Sequence, residues 1–152
     1  LPLSLIARLV EAYPDTVVGS KDSSGDWPRM ERTLSELPGF RLFPGSEEFL
    51  LAGLRQGAVG CISATVNVTA PQSRDVYANW RSDNADDLQN YLTELRMAFK
   101  GLPAIPVMKA YHARERNDPG FANLRPPFTP ASDADLTTVS ERLAAASFKL
   151  AA

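Results

Sequence analysis

The feature that most constrains the fold of this chain is an alternation in its first half. Three short runs rich in apolar and β-branched residues, at 16–20, 40–43 and 58–64, are separated by two stretches with helical periodicity. Strands joined through a helix run parallel, because only a crossover returns the chain to the same end of a sheet. Strand, helix, strand, helix, strand with short connections therefore predicts parallel βα units of the α/β class. The near-continuous apolar character of the runs predicts strands covered on both faces.

The punctuation between the runs fits that division. Ser4 is predicted to cap a helix with Leu5, Leu9 and Ala12 on one face, ended by Pro14-Asp15. Asp26 caps the next, with Trp27 and Pro28 in its first turn, Met30, Leu34 and Leu37 inward and Pro38-Gly39 as its stop. Pro44-Gly45 closes the second run. Ser46 then caps a helix whose first turn holds Glu47 and Glu48, where the macrodipole favours acids, with Phe49, Leu50 and Leu54 inward and Gly57 at its end. Beyond Ala70 the pattern is helical only. One helix opens at Pro71 and runs through Trp80; a second carries Leu88, Tyr91, Leu92, Leu95 and Phe99 as a stripe; Val107, Met108 and Tyr111 mark a third. A Pro-rich irregular stretch, 117–130, precedes a last helix capped by Ser132 or Asp133, with Leu136, Val139, Leu143 and Leu150 inward.

Three parallel strands leave two open edges and do not close. The pattern predicts further strands upstream or on another chain, and the opening Leu1-Pro2-Leu3-Ser4, with neither an initiator Met nor a signal-peptide pattern, reads as a cut into something longer. Composition narrows the function classes. With 152 residues, 44% hydrophobic and 22% charged, the chain has the makeup of a soluble globular protein. A formal net charge of -2 without a basic stripe argues against a nucleic-acid partner, and the apolar runs are far too short to span a membrane. Cys61 is the single cysteine, so there is no disulfide framework and no thiol-based zinc spacing, which points to a reducing, cytoplasmic compartment.

The residues that can carry chemistry lie where the runs end. Lys21 stands at the mouth of the first. An amine attacks a ketone only when unprotonated, and partial desolvation at a strand end favours that form, so the position suits Schiff-base formation; by composition alone the commoner role is a lysine stem reaching to water. Strand-like alternation puts Ser23 on the face of Lys21, while Gly25 and Asp26 also read as an ordinary βα turn. Gly45 and Ser46 offer free N–H groups for a substrate oxygen or carboxylate, and Glu47 and Glu48 either accept hydrogen bonds from substrate hydroxyls or complement the helix dipole. Ile62 and Ser63 close the third run and contribute shape or a backbone carbonyl. Cys61 reads as core, and His112, among Arg114, Glu115 and Arg116, as solvated. No set of residues supports a metal site or a Ser-His-Asp triad.

Three segments then resemble one family. The segments Gly19-Ser20-Lys21-Asp22-Ser23-Ser24-Gly25-Asp26, Gly57-Ala58-Val59-Gly60-Cys61-Ile62-Ser63-Ala64-Thr65-Val66-Asn67 and Arg125-Pro126-Pro127 stand in the order and spacing of the dihydrodipicolinate synthase / N-acetylneuraminate lyase family. The resemblance implies an α/β fold: the C-terminal part of a (β/α)8 TIM barrel, with 16–21, 40–43 and 58–63 as strands six to eight, followed by three extra C-terminal helices. It implies a half-barrel with the Schiff-base lysine over 1–82 and a helical extension over 83–152. In this correspondence Lys21 is catalytic, Ile62 contacts the oxo acid through its main chain and Glu47 and Glu48 meet the distal part; Ser23, Gly45, Ser46 and Ser63 join them as substrate-binding candidates from their places in the same loops. The implied activity is a class I aldolase or lyase acting on pyruvate or a related 2-oxo acid and an aldehyde, without cofactor or metal, in a homo-oligomer, dimer or tetramer. The family's Gly-Thr-Thr-Gly-type carboxylate loop and proton-relay tyrosine match nothing in the chain, and Tyr13, at a helix end, is not that tyrosine. The alternative is a non-catalytic barrel piece that serves folding or assembly only.

Overall fold

The computed structural model describes residues 1–150, and the chain forms two compact units, Leu1–Ser63 and Ala64–Ala152.

The first unit contains α1 (Leu3–Ala12), β1 (Gly19–Asp22), α2 (Trp27–Glu36), β2 (Arg41–Pro44), a 3-10 turn (Glu47–Phe49) and α3 (Leu50–Arg55). β1 and β2 pair in parallel, with Gly19 opposite Arg41 and Lys21 opposite Phe43. Side chains alternate across the pair. Asp22, Leu42 and Pro44 are buried, and Lys21 and Arg41 are exposed. One face thus packs on helices and carries the core of Met30, Leu42, Leu50, Leu51 and Leu54. Among the described residues nothing covers the opposite face, so this chain by itself supplies one of the two covers expected for its strands.

Several boundaries move for local reasons. α1 begins at Leu3 with Pro2 as an N-cap that makes no side-chain bond, so Ser4 lies inside the helix and does not cap it. Of its apolar residues only Ile6 is buried. Residues 16–18 are not strand: the amides of Thr16 and Val17 turn back on the Tyr13 carbonyl at 3.0 and 2.8 Å, which consumes the start of the first run. Asp26 caps α2 as expected, accepting from the Arg29 amide.

The third expected strand is the largest change, since the sheet has two strands among the described residues. The 58–63 segment does run beside β2: the Val59 amide donates to Leu42 at 3.2 Å and the Ile62 amide to Pro44 at 3.0 Å. A parallel ladder needs each such bond answered by an amide from the facing strand. Pro44 has no N–H to give. The two bonds also span three residues on one side and two on the other, a bulge of one residue at Gly60-Cys61, where Gly60 has φ +153.

The second unit is helical: α4 (Val66–Asn79), α5 (Ala85–Met97), α6 (Ala104–Glu115), a 3-10 turn (Pro119–Ala122) and α7 (Asp133–Ala145). Its core joins Val68, Leu95, Phe99, Val107, Met108, Tyr111, Val139 and Leu143, with Leu136 and Leu150 at the rim. Ser132 and Asp135 form a reciprocal capping box on α7. α4 starts at Val66, not at Pro71, and breaks at Thr69, where φ is -105 and ψ 25. Pro71 lacks the N–H that an unbroken helix would give the Asn67 carbonyl. His112 Nε2 lies 3.0 Å from that carbonyl. His112 is therefore buried and bonded, not solvated as its charged neighbours suggested, and its ring stacks on Phe121. Among the described residues no helix is long and apolar enough to cross a membrane.

Candidate active site

The parallel register and the two glycines nearest it place the site. At Gly19 a Cβ would stand 2.3 Å from the Arg41 carbonyl oxygen, so β1 and β2 approach as closely as they do only because residue 19 has no side chain. At the other end of the pair Gly45 donates to the Asp22 carbonyl at 2.6 Å, and a Cβ there would meet Ser23 Oγ at 2.7 Å. The C-terminal ends of the two strands are thereby locked together, with Ser23 lying over Gly45.

Between these contacts Lys21 projects on the open face, exposed, opposite half-buried Phe43. The desolvation expected at this strand end is not supplied by the described residues of this chain. Its sequence neighbour is the opposite case. Asp22 is 9% exposed and its carboxylate accepts from the Ser24 amide at 2.8 Å, the Ser24 hydroxyl at 2.5 Å and Arg29 Nε at 3.1 Å. Burial pushes the Asp22 carboxyl up, but the two bonds from Ser24 and the Arg29 guanidinium together outweigh it and hold the pKa below the usual carboxylate value. Arg29 Nη2 also donates to the Leu1 carbonyl at 2.6 Å, tying the start of the chain to α2. A cleft of about 300 Å³ opens here, lined in part by Ser20, Lys21, Asp22, Ser24, Arg29 and Thr33.

Asp22 is the functional-region residue that sequence reasoning passed over. The signal was present: an aspartate two residues before Ser24 is the spacing of an Asx-turn, four residues ahead of the N-cap Asp26.

The other expected residues divide. Ser46 is buried; its hydroxyl accepts from the Glu48 amide at 3.2 Å and donates to Glu48 Oε2 at 2.9 Å. Glu48 is half-buried. Glu47 is fully buried, with partners of its own, so its carboxylate does not line the open face beside Lys21. Trp27 and Phe49 stack at 5.8 Å and join the start of α2 to the turn that carries both glutamates. Ile62 is 48% exposed, with its amide spent on Pro44, and Ser63 is half-buried. Among the described residues no three His, Cys, Asp or Glu side chains are placed to hold a metal ion. What the arrangement provides is one amine at the C-terminal end of a parallel strand, on an open face, near small hydroxyl side chains, while the Gly45, Glu48 and Ile62 amides are spent within the chain.

Parallel βα units whose polar groups gather at strand C-termini define an α/β protein of the kind whose active sites sit at that end. Residues 1–146 match the Dihydrodipicolinate synthetase family, and the chain belongs to it. It is 35% identical to the 4-hydroxy-tetrahydrodipicolinate synthase of Methanopyrus kandleri over 68% of this chain and 36% of the relative. It is 26% identical to the N-acetylneuraminate lyase of Lactiplantibacillus plantarum over 83% of this chain and 44% of that one. The crystal structure of dihydrodipicolinate synthase from Agrobacterium tumefaciens superimposes with a TM-score of 0.81 at 28% identity, covering 95% of this chain and 48% of that TIM-barrel chain. The chain thus spans about half or less of the length of these relatives.

Proposed function

We propose that this chain carries the Schiff-base half of a class I aldolase or lyase that acts on pyruvate or a related 2-oxo acid, with Lys21 as the nucleophile. The observation that carries the reading is the position of Lys21: an amine on the open face of a parallel pair, at its C-terminal end, beside a strand junction with no room for a Cβ at Gly45. In the reaction the Lys21 amine adds to the C2 carbonyl and water leaves, giving an iminium. Loss of a C3 proton gives the enamine, which adds to an aldehyde; hydrolysis returns the amine. The reverse order cleaves the same bond.

Ser23 and the Ser46 amide are the groups offered to the oxo acid, the expected Gly45 amide being spent on the Asp22 carbonyl, with Ile62 and Ser63 completing the wall. Glu48 is the acceptor for a hydroxylated distal part, while buried Glu47 supports the turn that presents it. In this reading 1–82 is a half-barrel that counts α4 as its last helix and 83–152 is the extension. The carboxylate loop and proton relay come from a complementary half, in a homo-oligomer.

Reduction with borohydride in the presence of pyruvate tests this in the full-length protein. The expected product is a reduced pyruvyl adduct on Lys21, absent in Lys21→Arg. No adduct with pyruvate or with other 2-oxo acids overturns it. The exposure of Lys21 favours the second reading, a barrel piece for folding or assembly. That reading predicts no adduct and no turnover in any assembly that contains this chain.

A further inference from the structure

The helical unit holds a groove of about 630 Å³ that the Lys21 chemistry does not use. It runs along α6 between the start of α4 and the Pro119–Ala122 turn. Ile105, Met108 and Phe121 give it apolar walls, and Lys109, His112 and Arg116 line it with nitrogen. Ile105 is 41% and Phe121 39% exposed, so two large apolar side chains meet water there. None of the lining residues is an aspartate or glutamate, although the whole chain carries a net charge of -2.

The nitrogens are not equivalent. His112 Nε2 faces the Asn67 carbonyl and must donate to it, which leaves Nδ1 to accept from Arg116 Nε at 3.4 Å. His112 is therefore committed on both sides. Lys109 differs. It is half-buried, and no described residue pairs with it through a hydrogen bond or an ion pair. Its helix offers no counter-charge, since the positions three and four away are Ile105, Pro106, His112 and Ala113. A half-buried lysine without a counter-ion, set in an apolar groove of small-molecule size, is complementary to an anion that brings its own apolar body.

We propose that this groove binds a small organic carboxylate with an aromatic or branched aliphatic body, the carboxylate meeting Lys109 and the body lying on Phe121, Ile105 and Met108. Pyruvate has no such body, so the site is distinct in its chemistry from the one proposed around Lys21.

Calorimetric titration of the full-length protein with 3-phenylpropionate, against the uncharged 3-phenylpropionamide, tests this. Binding of the acid is expected, with the amide weaker by about tenfold or more, the loss of one favourable charge contact. Lys109→Gln is expected to weaken the acid by a similar factor and Lys109→Arg to restore it, with Ile105→Glu repelling the acid and Lys21→Ala binding as the parent does. Equal affinity for acid and amide, an unchanged affinity in Lys109→Gln, loss of binding in Lys21→Ala, or no binding because another part of the protein fills the groove would each overturn the proposal.

Discussion

Asp22 and Lys21 are adjacent and face opposite ways, and the buried member fixes the exposed one. The Asp22 carboxylate gathers Ser24 and Arg29 beneath the strand end, while its own carbonyl holds Gly45. Asp22→Asn keeps the shape and removes the charge, so bonds to a charged acceptor, each about 1.5–3 kcal/mol, become weaker neutral ones. The expected result is a loss of about 1–3 kcal/mol at neutral pH, read by urea unfolding of the full-length protein. The sign with pH follows from the lowered folded-state pKa of Asp22. A depressed carboxyl stabilises above its unfolded pKa of about 3.9 and loses that contribution as pH falls through the lower folded value. The parent is therefore expected to lose more stability than Asp22→Asn between about pH 5 and pH 2, and equal slopes in that window would sink the assignment.

At the scale of elements, two devices hold the pieces in register, and each has its own test. Gly19→Ala places a methyl group 2.3 Å from the Arg41 carbonyl oxygen. Parting β1 from β2 to admit it is expected to cost about 1–3 kcal/mol, the usual range for overpacking, read as a fall in the urea midpoint. In α4, His112→Ala leaves the Asn67 carbonyl without the imidazole, expected to cost about 1–3 kcal/mol, and Pro71→Ala supplies a backbone N–H to the same carbonyl. A double-mutant cycle is expected to show Pro71→Ala recovering part of the loss, whereas strict additivity would mean that the two groups do not share the carbonyl. These elements also show what the sequence could and could not reveal. The βα order, the Asp26 cap and the stripes of α5 and α7 follow from local periodicity and cap chemistry, and they are present. The loss of ladder pairing at 58–63 turns on one missing N–H at Pro44, which matters only once Val59 and Ile62 lie beside it. The burial of Glu47 and His112 depends on partners and packing that no local window contains. The place of Lys21 at a strand end was legible; its openness to solvent was not, because it reflects which strands lie next to β1.

For the whole molecule the decisive quantity is the free edge of β1. The pairing uses alternate residues: Val18, just before β1, and Asp22, at its end, give their carbonyls to Arg41 and Gly45 of the facing segment. By the parity of a parallel ladder the N–H and C=O of Gly19 and Lys21 point the other way, away from β2. A two-stranded pair with one open face and unpaired backbone along an edge is marginal by itself. Exposed Val18, Val59 and Ile62, at 45%, 38% and 48%, flank the same sheet. In a closed barrel the alternate residues on that face become interior, and a neighbouring strand takes up the edge. The barrel reading thus makes a demand on a single amide. In the full-length protein the Lys21 N–H is expected to be bonded to an added strand and to exchange with deuterium far more slowly than the loop amide of Gly25. Fast exchange at Lys21 under native conditions would mean that no strand joins that edge. The half-barrel assignment, and with it the enclosed Schiff-base site, would then fall, since a lysine on a frayed edge lacks both the desolvation and the fixed aim that addition to a ketone requires.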